Sequence, residues 1–262
     1  MTEHSDNRGP RQRIWEHAAP MVRELRNRVL TDPGRRASLR TAVGRESGDP
    51  RTFRAYGEVT RFLPERADYA TERAFLAVAA LICAQPRAAR DADMRAAKKA
   101  KSGENESDSE DGVAAEPETE EAATQETGAD AASSPEMTGG TEPDERQHGG
   151  KSPDERTPAR SLGWSCAEAA LTDRNSGKTL EPRLHAMCRM DGAGLHRQLP
   201  RVVNMLRAKG IYIDWTTLAV DLAGWDRANR AVTRKWLRDY HRRLAAAQHH
   251  NDNRETTQKE TA

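Results

Sequence analysis

The chain has 262 residues, of which 35% are hydrophobic and 32% are charged, so it has room for one or two domains. A mean hydropathy of −0.92 is low for a single compact globule of this length, which predicts that part of the chain does not fold. No apolar run could cross a bilayer, there is no signal-peptide pattern, and three cysteines without CxxC spacing argue against a disulfide framework or a zinc site. We expect a soluble, cytoplasmic protein that makes no contact with a membrane.

The net charge of +1 is an average over two very different regions. Residues 102–145 contain 15 acidic residues and no Lys or Arg, whereas the rest of the chain has 42 basic and 26 acidic residues. The sequence therefore describes a basic body joined to an acidic segment.

Residues 11–101 are predicted to form an N-terminal helical part. Apolar residues recur at helical spacing in five segments, at 13–30, 35–43, 52–63, 67–85 and 90–101. Pro20 interrupts the first segment and is expected to mark the start of its longer helix. The segment at 67–85 is the most apolar and should lie at the centre of the N-terminal core.

Residues 102–158 form a low-complexity stretch with almost no large apolar side chains. Such a stretch cannot offset a backbone ordering cost of roughly 1–2 kcal/mol per residue. We predict a disordered acidic insertion here.

Residues 159–246 are predicted to form a C-terminal helical bundle, followed by a flexible tail at 247–262. Ser161 is an expected N-cap, residues 172–179 an expected polar loop, and residues 180–190 a helix. Three more helices follow between 195 and 244, with Gly210 ending the first and Asp214 capping the second. Because no strand pattern competes, the predicted fold class is all-α.

The last of these helices has an apolar seam that steps by four residues, through Val232, Trp236, Tyr240 and Leu244. Its opposite face carries arginines, and basic residues recur on the outer faces of two other predicted helices. A positioned row of cations suggests a polyanion as its partner. The candidate nucleic-acid-binding residues are Arg35, Arg36, Arg40, Arg197, Arg201, Arg207, Lys209, Arg230, Arg234, Lys235, Arg238 and Arg242.

No pattern of residues indicates catalysis, a metal or a cofactor. Phosphate-loop, zinc-protease and nucleophile motifs are absent from the sequence. Cys83 and Cys166 lie on apolar faces and should be core residues, while His196 and His241 stand beside arginines and are expected at the surface. Asp214 and Asp221 are expected to serve as a helix cap and an arginine partner, so we predict a protein that is not an enzyme.

The C-terminal half resembles a known family. The run IYIDWTTLAVDLAGWD at 211–226, followed by VTRKWLRDYHRRL at 232–244, is similar to the C-terminal signature of the CasB family, the small subunit of type I-E CRISPR surveillance complexes (Cascade). Two further segments resemble the family in the same order, namely SLGWSCAEAA at 161–170 and the helix pair at 183–210. The resemblance is weaker at residues 33–45. Members usually lack a segment like the one at 102–158.

This resemblance implies a non-catalytic subunit that binds CRISPR RNA and target DNA through their backbones. It also implies other Cascade subunits, and a second copy of the chain, as partners. The function implied is to stabilise the hybrid of guide RNA and target DNA and to hold the displaced strand. Two alternatives stay open on the residues alone: a free-standing helical DNA-binding regulator, and a scaffold that binds only protein.

Overall fold

The computed structural model describes residues 9–93, 95 and 159–260. Every regular element in these ranges is helical, which confirms the predicted all-α class. The insertion predicted at 102–158 lies outside the described residues.

Residues 9–93 and 95, the described part of the N-terminal half, contain five α-helices, of which the first four correspond to the apolar segments predicted from the sequence. They are α1 (Pro10–Glu24), α2 (Pro33–Arg40), α3 (Phe53–Val59), α4 (Tyr69–Ala84) and α5 (residues 87–93). A π-helical turn at Leu25–Val29 extends α1, and short 3-10 turns flank α3 on both sides.

Pro20 does not begin a helix, contrary to the prediction from sequence. Helix α1 starts ten residues earlier, with Pro10 in its first turn, and continues through Pro20. Ile14 and Ala18 on one side of Pro20 and Met21 on the other are all buried. Packing of this whole apolar face therefore outweighs the loss of one backbone hydrogen bond at the proline.

The described residues 159–260 contain five further helices. They are α6 (Leu162–Thr172), α7 (Arg174–Met187), α8 (Gly192–Ala208), α9 (Trp215–Ala223) and α10 (Trp225–Glu260). Helix α10 is broken near its start, where Ala228 has the non-helical angles φ −142° and ψ 35°.

Two segments of this half are more helical than the sequence predicted. The polar residues after Asp173 belong to α7, because the Asp173 carboxylate caps the helix by accepting a hydrogen bond of 2.9 Å from the Asn175 N–H. Helix α10 also extends through 247–260, where a flexible tail was expected. The alanines at 245–247 favour its continuation, since alanine has the highest helix propensity.

The predicted helix boundaries around residues 161 and 210–214 are confirmed. The Ser161 hydroxyl accepts a hydrogen bond from the Trp164 N–H, and the Asp214 carboxylate accepts one of 2.9 Å from the Thr217 N–H. Gly210 ends α8 with φ 72°, a left-handed conformation that glycine adopts without strain.

The two helical parts predicted from the sequence share one hydrophobic core. Helices α1 and α4 both pack against α9, so N-terminal side chains such as Phe75 and C-terminal ones such as Leu218 belong to one buried cluster. The described residues before and after the insertion accordingly form one compact unit.

The closest helix packing in the C-terminal half joins α6 to α10. A Cβ atom added at Gly163 would lie only 1.9 Å from the Trp236 carbonyl oxygen, so the two backbones can approach only because residue 163 is glycine. Trp215, Trp225 and Trp236 are all buried, and the burial of Trp236 confirms its predicted place on the apolar seam.

Candidate nucleic-acid interface

Helix α10 presents the longest row of exposed cations in the described part of the chain. Val232, Trp236 and Tyr240 are buried on its inner side, as the sequence predicted. The exposed outer side carries the predicted arginines at intervals of four residues, Arg230, Arg234, Arg238 and Arg242. At a rise of 1.5 Å per residue, this row is about 18 Å long.

The carboxylates of the described residues neutralise little of this row. Arg238 lies 3.8 Å from its neighbour Asp239, a loose pair at the surface. Arg234 donates a hydrogen bond of 3.3 Å to the Arg230 carbonyl oxygen, which orients its side chain along the helix without compensating its charge. Within the described ranges, Arg230 and Arg242 form no ion pair, so the row keeps most of its positive charge.

Arg207 was predicted to belong to the basic surface, but the structure places it inside the protein. Its side chain is 3% exposed and forms an ion pair of 2.6 Å with Asp93, which is also buried. It also donates to the Gln85 side chain and to the carbonyl oxygens of Ala89 and Ile211. Arg207 therefore holds α5 against α8, and we leave it out of the candidate interface.

Three other predicted cations are exposed or half-buried but are engaged with carboxylates. The Arg35 Nε donates to Glu58 at 2.8 Å, the Lys209 Nζ to Asp173 at 3.0 Å, and the Lys235 Nζ to Asp221 at 3.0 Å. The Lys209 ammonium is the main cause that lowers the pKa of Asp173 to about 2, with the Ser176 hydroxyl and the Asn175 N–H adding to it. These pairs reduce the charge available to a polyanion.

The predicted cations of α2 and α8 form a second exposed group. Arg40 of α2 and Arg197 and Arg201 of α8 are exposed or half-exposed, and none forms an ion pair with a described residue. Arg36 is half-buried and donates a hydrogen bond of 3.4 Å to the Leu30 carbonyl oxygen. The predicted cations are thus carried by three helices, α2, α8 and α10.

Two sets of arginines were not among the residues predicted from the sequence. Arg87 and Arg90 of α5 lie near Arg36 and share a pocket with it. The Arg160 guanidinium lies 4.1 Å from the centre of the Trp164 ring, and Arg243 lies over the same ring at 6.0 Å. The three-residue spacing of Arg87 and Arg90 could have flagged the first set, whereas only the fold brings the second together.

Cys83, Cys166 and His196 lie in the packed interior. Burial raises the pKa of the Cys83 and Cys166 thiols to about 12, so they stay protonated, as expected of core residues. His196 was expected at the surface but is buried beside Arg73, and this burial lowers its pKa to about 3. Among the described residues, no three His, Cys, Asp or Glu side chains cluster as metal ligands, and no helix is long and apolar enough to span a membrane.

Comparison with models of known protein families identifies the family of this chain. A family model described as CRISPR-associated protein Cse2 matches residues 35–241, which is most of the chain. The chain belongs to the Cse2 family. The match includes α2, α6, α8 and most of the arginine row on α10, and it confirms the family resemblance that the sequence suggested.

Solved structures support membership of the Cse2 family. A chain of a "CRISPR RNA-guided surveillance complex, pre-nicking" is 30% identical, with a TM-score of 0.64, and the similarity covers 91% of this chain and 99% of that one. A chain of a "CRISPR RNA-guided surveillance complex" is 28% identical, with a TM-score of 0.61 and the same coverage. CasB of M. ruber shares the fold at 19% identity, with a TM-score of 0.56 over 88% of this chain and 96% of that one. Comparison with curated protein sequences gives no match.

Proposed function

We propose that this Cse2-family protein is a non-catalytic, nucleic-acid-binding subunit of a type I-E CRISPR surveillance complex. In this role it contacts the guide RNA–target DNA hybrid and the displaced DNA strand through their backbones. The observation that carries the proposal is the row of exposed arginines on α10, anchored from behind by Trp236 and Tyr240.

The chemistry of arginine suits a backbone contact. Its guanidinium stays charged and offers a planar fork of N–H donors that matches two oxygens of a phosphate. Along α10, Arg230 and Arg234 are separated by one helical turn, so each can reach a different phosphate of an extended strand. Contacts of this kind position a strand without reading its bases, and sequence choice is left to guide pairing.

The rigid support of α10 matters for the same reason. The Trp236 indole is fully buried and its Nε1 donates to the buried Asp221 carboxylate, so the helix cannot rotate freely about its axis. A fixed helix presents its arginines already aligned, which lowers the ordering cost of binding a strand.

The similar solved chains are parts of CRISPR RNA-guided surveillance complexes. We extend that setting to this chain and propose other subunits of such a complex, together with a second copy of this protein, as its partners. The arginines of α2 and α8 would contact a second strand or a second part of the same strand.

Co-expression with the other subunits and a guide RNA tests this function. We expect the full-length chain to purify in a stoichiometric complex that contains the small RNA. A lone dimer that binds one specific DNA operator would instead support a free-standing regulator. A complex whose opened DNA dissociates at an unchanged rate after loss of Arg230, Arg234 and Arg238 would support a scaffold that binds only protein, and Arg183→Ala serves as a control for loss of surface charge.

A further inference from the structure

A small pocket lies where α2 approaches α5. It has a volume of about 270 Å3 and is lined by Leu30, Arg36, Arg87, Arg90 and Asp91. This volume is below the range of roughly 300–1,000 Å3 that is typical of ligand pockets, so the site suits a small group instead of a whole cofactor.

The pocket concentrates positive charge from two helices. Arg36 lines it from α2, and Arg87 and Arg90 line it from α5. Arg40 lies one turn beyond Arg36, close enough for its charge to act on Arg90. Among the described residues, the only carboxylate in the pocket is Asp91, which stands 3.8 Å from Arg87 in a mostly exposed pair.

The arginines around the pocket repel one another. Burial, followed by the charges of Arg36 and Arg40, lowers the pKa of Arg90. An arginine side chain does not lose its proton in a protein, and Asp91 offsets only part of this repulsion, so an anion bound in the pocket would be stabilised. The nearby Cys83 thiol cannot supply one, because burial raises its pKa to about 12 and keeps it neutral.

A neighbouring arginine of α2 is paired with a carboxylate, so the excess of positive charge is confined to the pocket. Arg35, the immediate neighbour of Arg36, donates through its Nε to Glu58 at 2.8 Å. Arg36 finds only the Leu30 carbonyl oxygen, and neither Arg40 nor Arg90 forms an ion pair with a described residue. The fold thus neutralises one arginine of α2 and directs the next toward the pocket.

We propose that Arg36, Arg40, Arg87 and Arg90 together hold one phosphate group of a nucleic-acid backbone. The inference rests on the proposed function and adds α5 to the binding surface. A phosphate is favoured over a carboxylate because its oxygens point in several directions, so that guanidinium forks arriving from both helices can be satisfied at once. A carboxylate offers two oxygens in one plane and would satisfy fewer of these donors.

A nucleic-acid strand held at the pocket would continue along the neighbouring surface. A groove lined by Val43, Pro200 and Arg201 connects the end of α2 to α8. The exposed Arg201 lines this groove, and Arg197 lies one turn away on the same helix. The pocket would fix one phosphate and the α8 arginines would contact phosphates beyond it.

The test compares the double variant Arg87→Gln/Arg90→Gln with the double variant Arg183→Gln/Arg189→Gln in the full-length chain. Both remove two exposed or half-exposed charges, but only the first touches the pocket. With labelled single-stranded DNA, we expect the pocket variant to flatten the log–log salt dependence of binding by about 0.7, because one phosphate is no longer bound, and the control to leave it unchanged. Equal slopes for the pocket variant and the wild type would overturn the proposal.

A second measurement does not depend on DNA binding. At constant ionic strength, inorganic pyrophosphate should raise the Tm of the wild type and of the Arg230→Ala/Arg234→Ala/Arg238→Ala variant, but not that of the pocket variant. Stabilisation by pyrophosphate is expected even if the protein has a function other than the one proposed. A wild-type Tm that pyrophosphate leaves unchanged would show that the pocket does not bind phosphate. If a glutamate peptide gave the same stabilisation and the pocket variant lost both, the site would take carboxylates and the phosphate assignment would be wrong.

Discussion

The Nε1 of Trp236 donates a hydrogen bond of 2.8 Å to Oδ2 of Asp221, whose carboxylate is completely buried. The same carboxylate accepts hydrogen bonds from the Lys235 Nζ at 3.0 Å and from Arg11 at 2.8 Å. One buried charge thus connects α1, α9 and α10, and it has enough donors to compensate for its removal from water. Lys235, predicted from sequence as a nucleic-acid contact, helps to hold the helix that carries the arginine row.

Two substitutions at Trp236 separate its packing from its hydrogen bond. Trp236→Ala removes a large, fully buried side chain and should lower the free energy of unfolding by about 3–5 kcal/mol. Trp236→Phe keeps most of the apolar volume but leaves Asp221 one donor short, which should cost about 1–3 kcal/mol. Urea unfolding measures both. If Trp236→Ala unfolded at the wild-type urea concentration and bound single-stranded DNA more weakly, the indole would be stacking on bases.

Gly163 should tolerate no side chain. In Gly163→Ala, the new Cβ would meet the Trp236 carbonyl oxygen, and backbone atoms of α10 cannot move aside as a flexible side chain could. We expect a loss of at least about 2 kcal/mol in unfolding free energy. Gly57→Ala in α3 is the matched control, because nothing lies within 4 Å of its added Cβ, and it should be neutral or stabilising by up to about 1 kcal/mol. A Gly163→Ala protein as stable as this control would contradict the close packing.

The stability of the protein should fall in mild acid because of His196. Burial, and then the Arg73 charge, lower its pKa to about 3 in the folded state, compared with an ordinary value of about 6.5 in the unfolded chain. The unfolded state therefore binds the proton first, and this contribution to stability is lost as the pH falls below about 6.5 toward 3. Between about pH 7.5 and about pH 5.5 we expect a loss of about 1 kcal/mol.

The His196→Gln variant is the control for this pH dependence. It cannot take up the proton, so its unfolding free energy should change less over the same pH range, whatever its absolute stability. Urea unfolding at several pH values measures the difference. Parallel curves for wild type and variant would show that His196 does not set the acid sensitivity.

The arginine row on α10 should contribute to binding without contributing to folding. Replacing Arg230, Arg234 and Arg238 together with alanine should weaken binding to DNA of any sequence and flatten the salt dependence by about 0.7–0.9 for each phosphate that the variant no longer binds. The melting temperature should barely change, because these side chains are exposed. In the assembled complex the opened DNA should dissociate faster, with the guide's choice of sequence unchanged.

Lys235→Ala provides the contrast within the same helix. Because Lys235 donates to the buried Asp221, its loss should lower stability, which the loss of the three arginines should not do.

Equal DNA lifetimes and an unchanged salt slope for the triple variant would mean that the row is only a solvated helix face. An altered base preference would instead favour a regulator that reads a DNA groove.

Deletion of residues 102–150 should leave the folded body intact. The shared core includes residues on both sides of this segment, such as Phe75 and Trp215, and the segment's own sequence has almost no large apolar side chain to add to it. Circular dichroism and thermal melting of a deletion variant with a short linker test this expectation. A large loss of helix per remaining residue would contradict it. If the acidic stretch also screens the basic surface, the variant should bind single-stranded DNA more tightly at low salt.

Much of the local structure could be predicted from the sequence. The seams of α8 and α10, the caps Ser161 and Asp214 and the end of α8 at Gly210 follow from neighbours a few residues apart, since helix periodicity and capping are local. The family resemblance of residues 161–244 could also be recognised from the sequence, because it rests on local runs of residues. The sequence predicted that Asp221 pairs with an arginine, but it did not identify Arg11 as that arginine.

The tertiary structure decided which cations are exposed and which are buried. On sequence alone Arg207 resembles Arg201, because both lie on the outer side of the α8 seam, but α5 packs over Arg207 and supplies Asp93 to it. Arg87 and Arg90 gain significance only because the fold brings α5 beside α2. Helical periodicity identifies the side of a helix that must be buried. Whether the other side is also covered, and by which charges, depends on segments far away in the chain, so only the packed structure determines it.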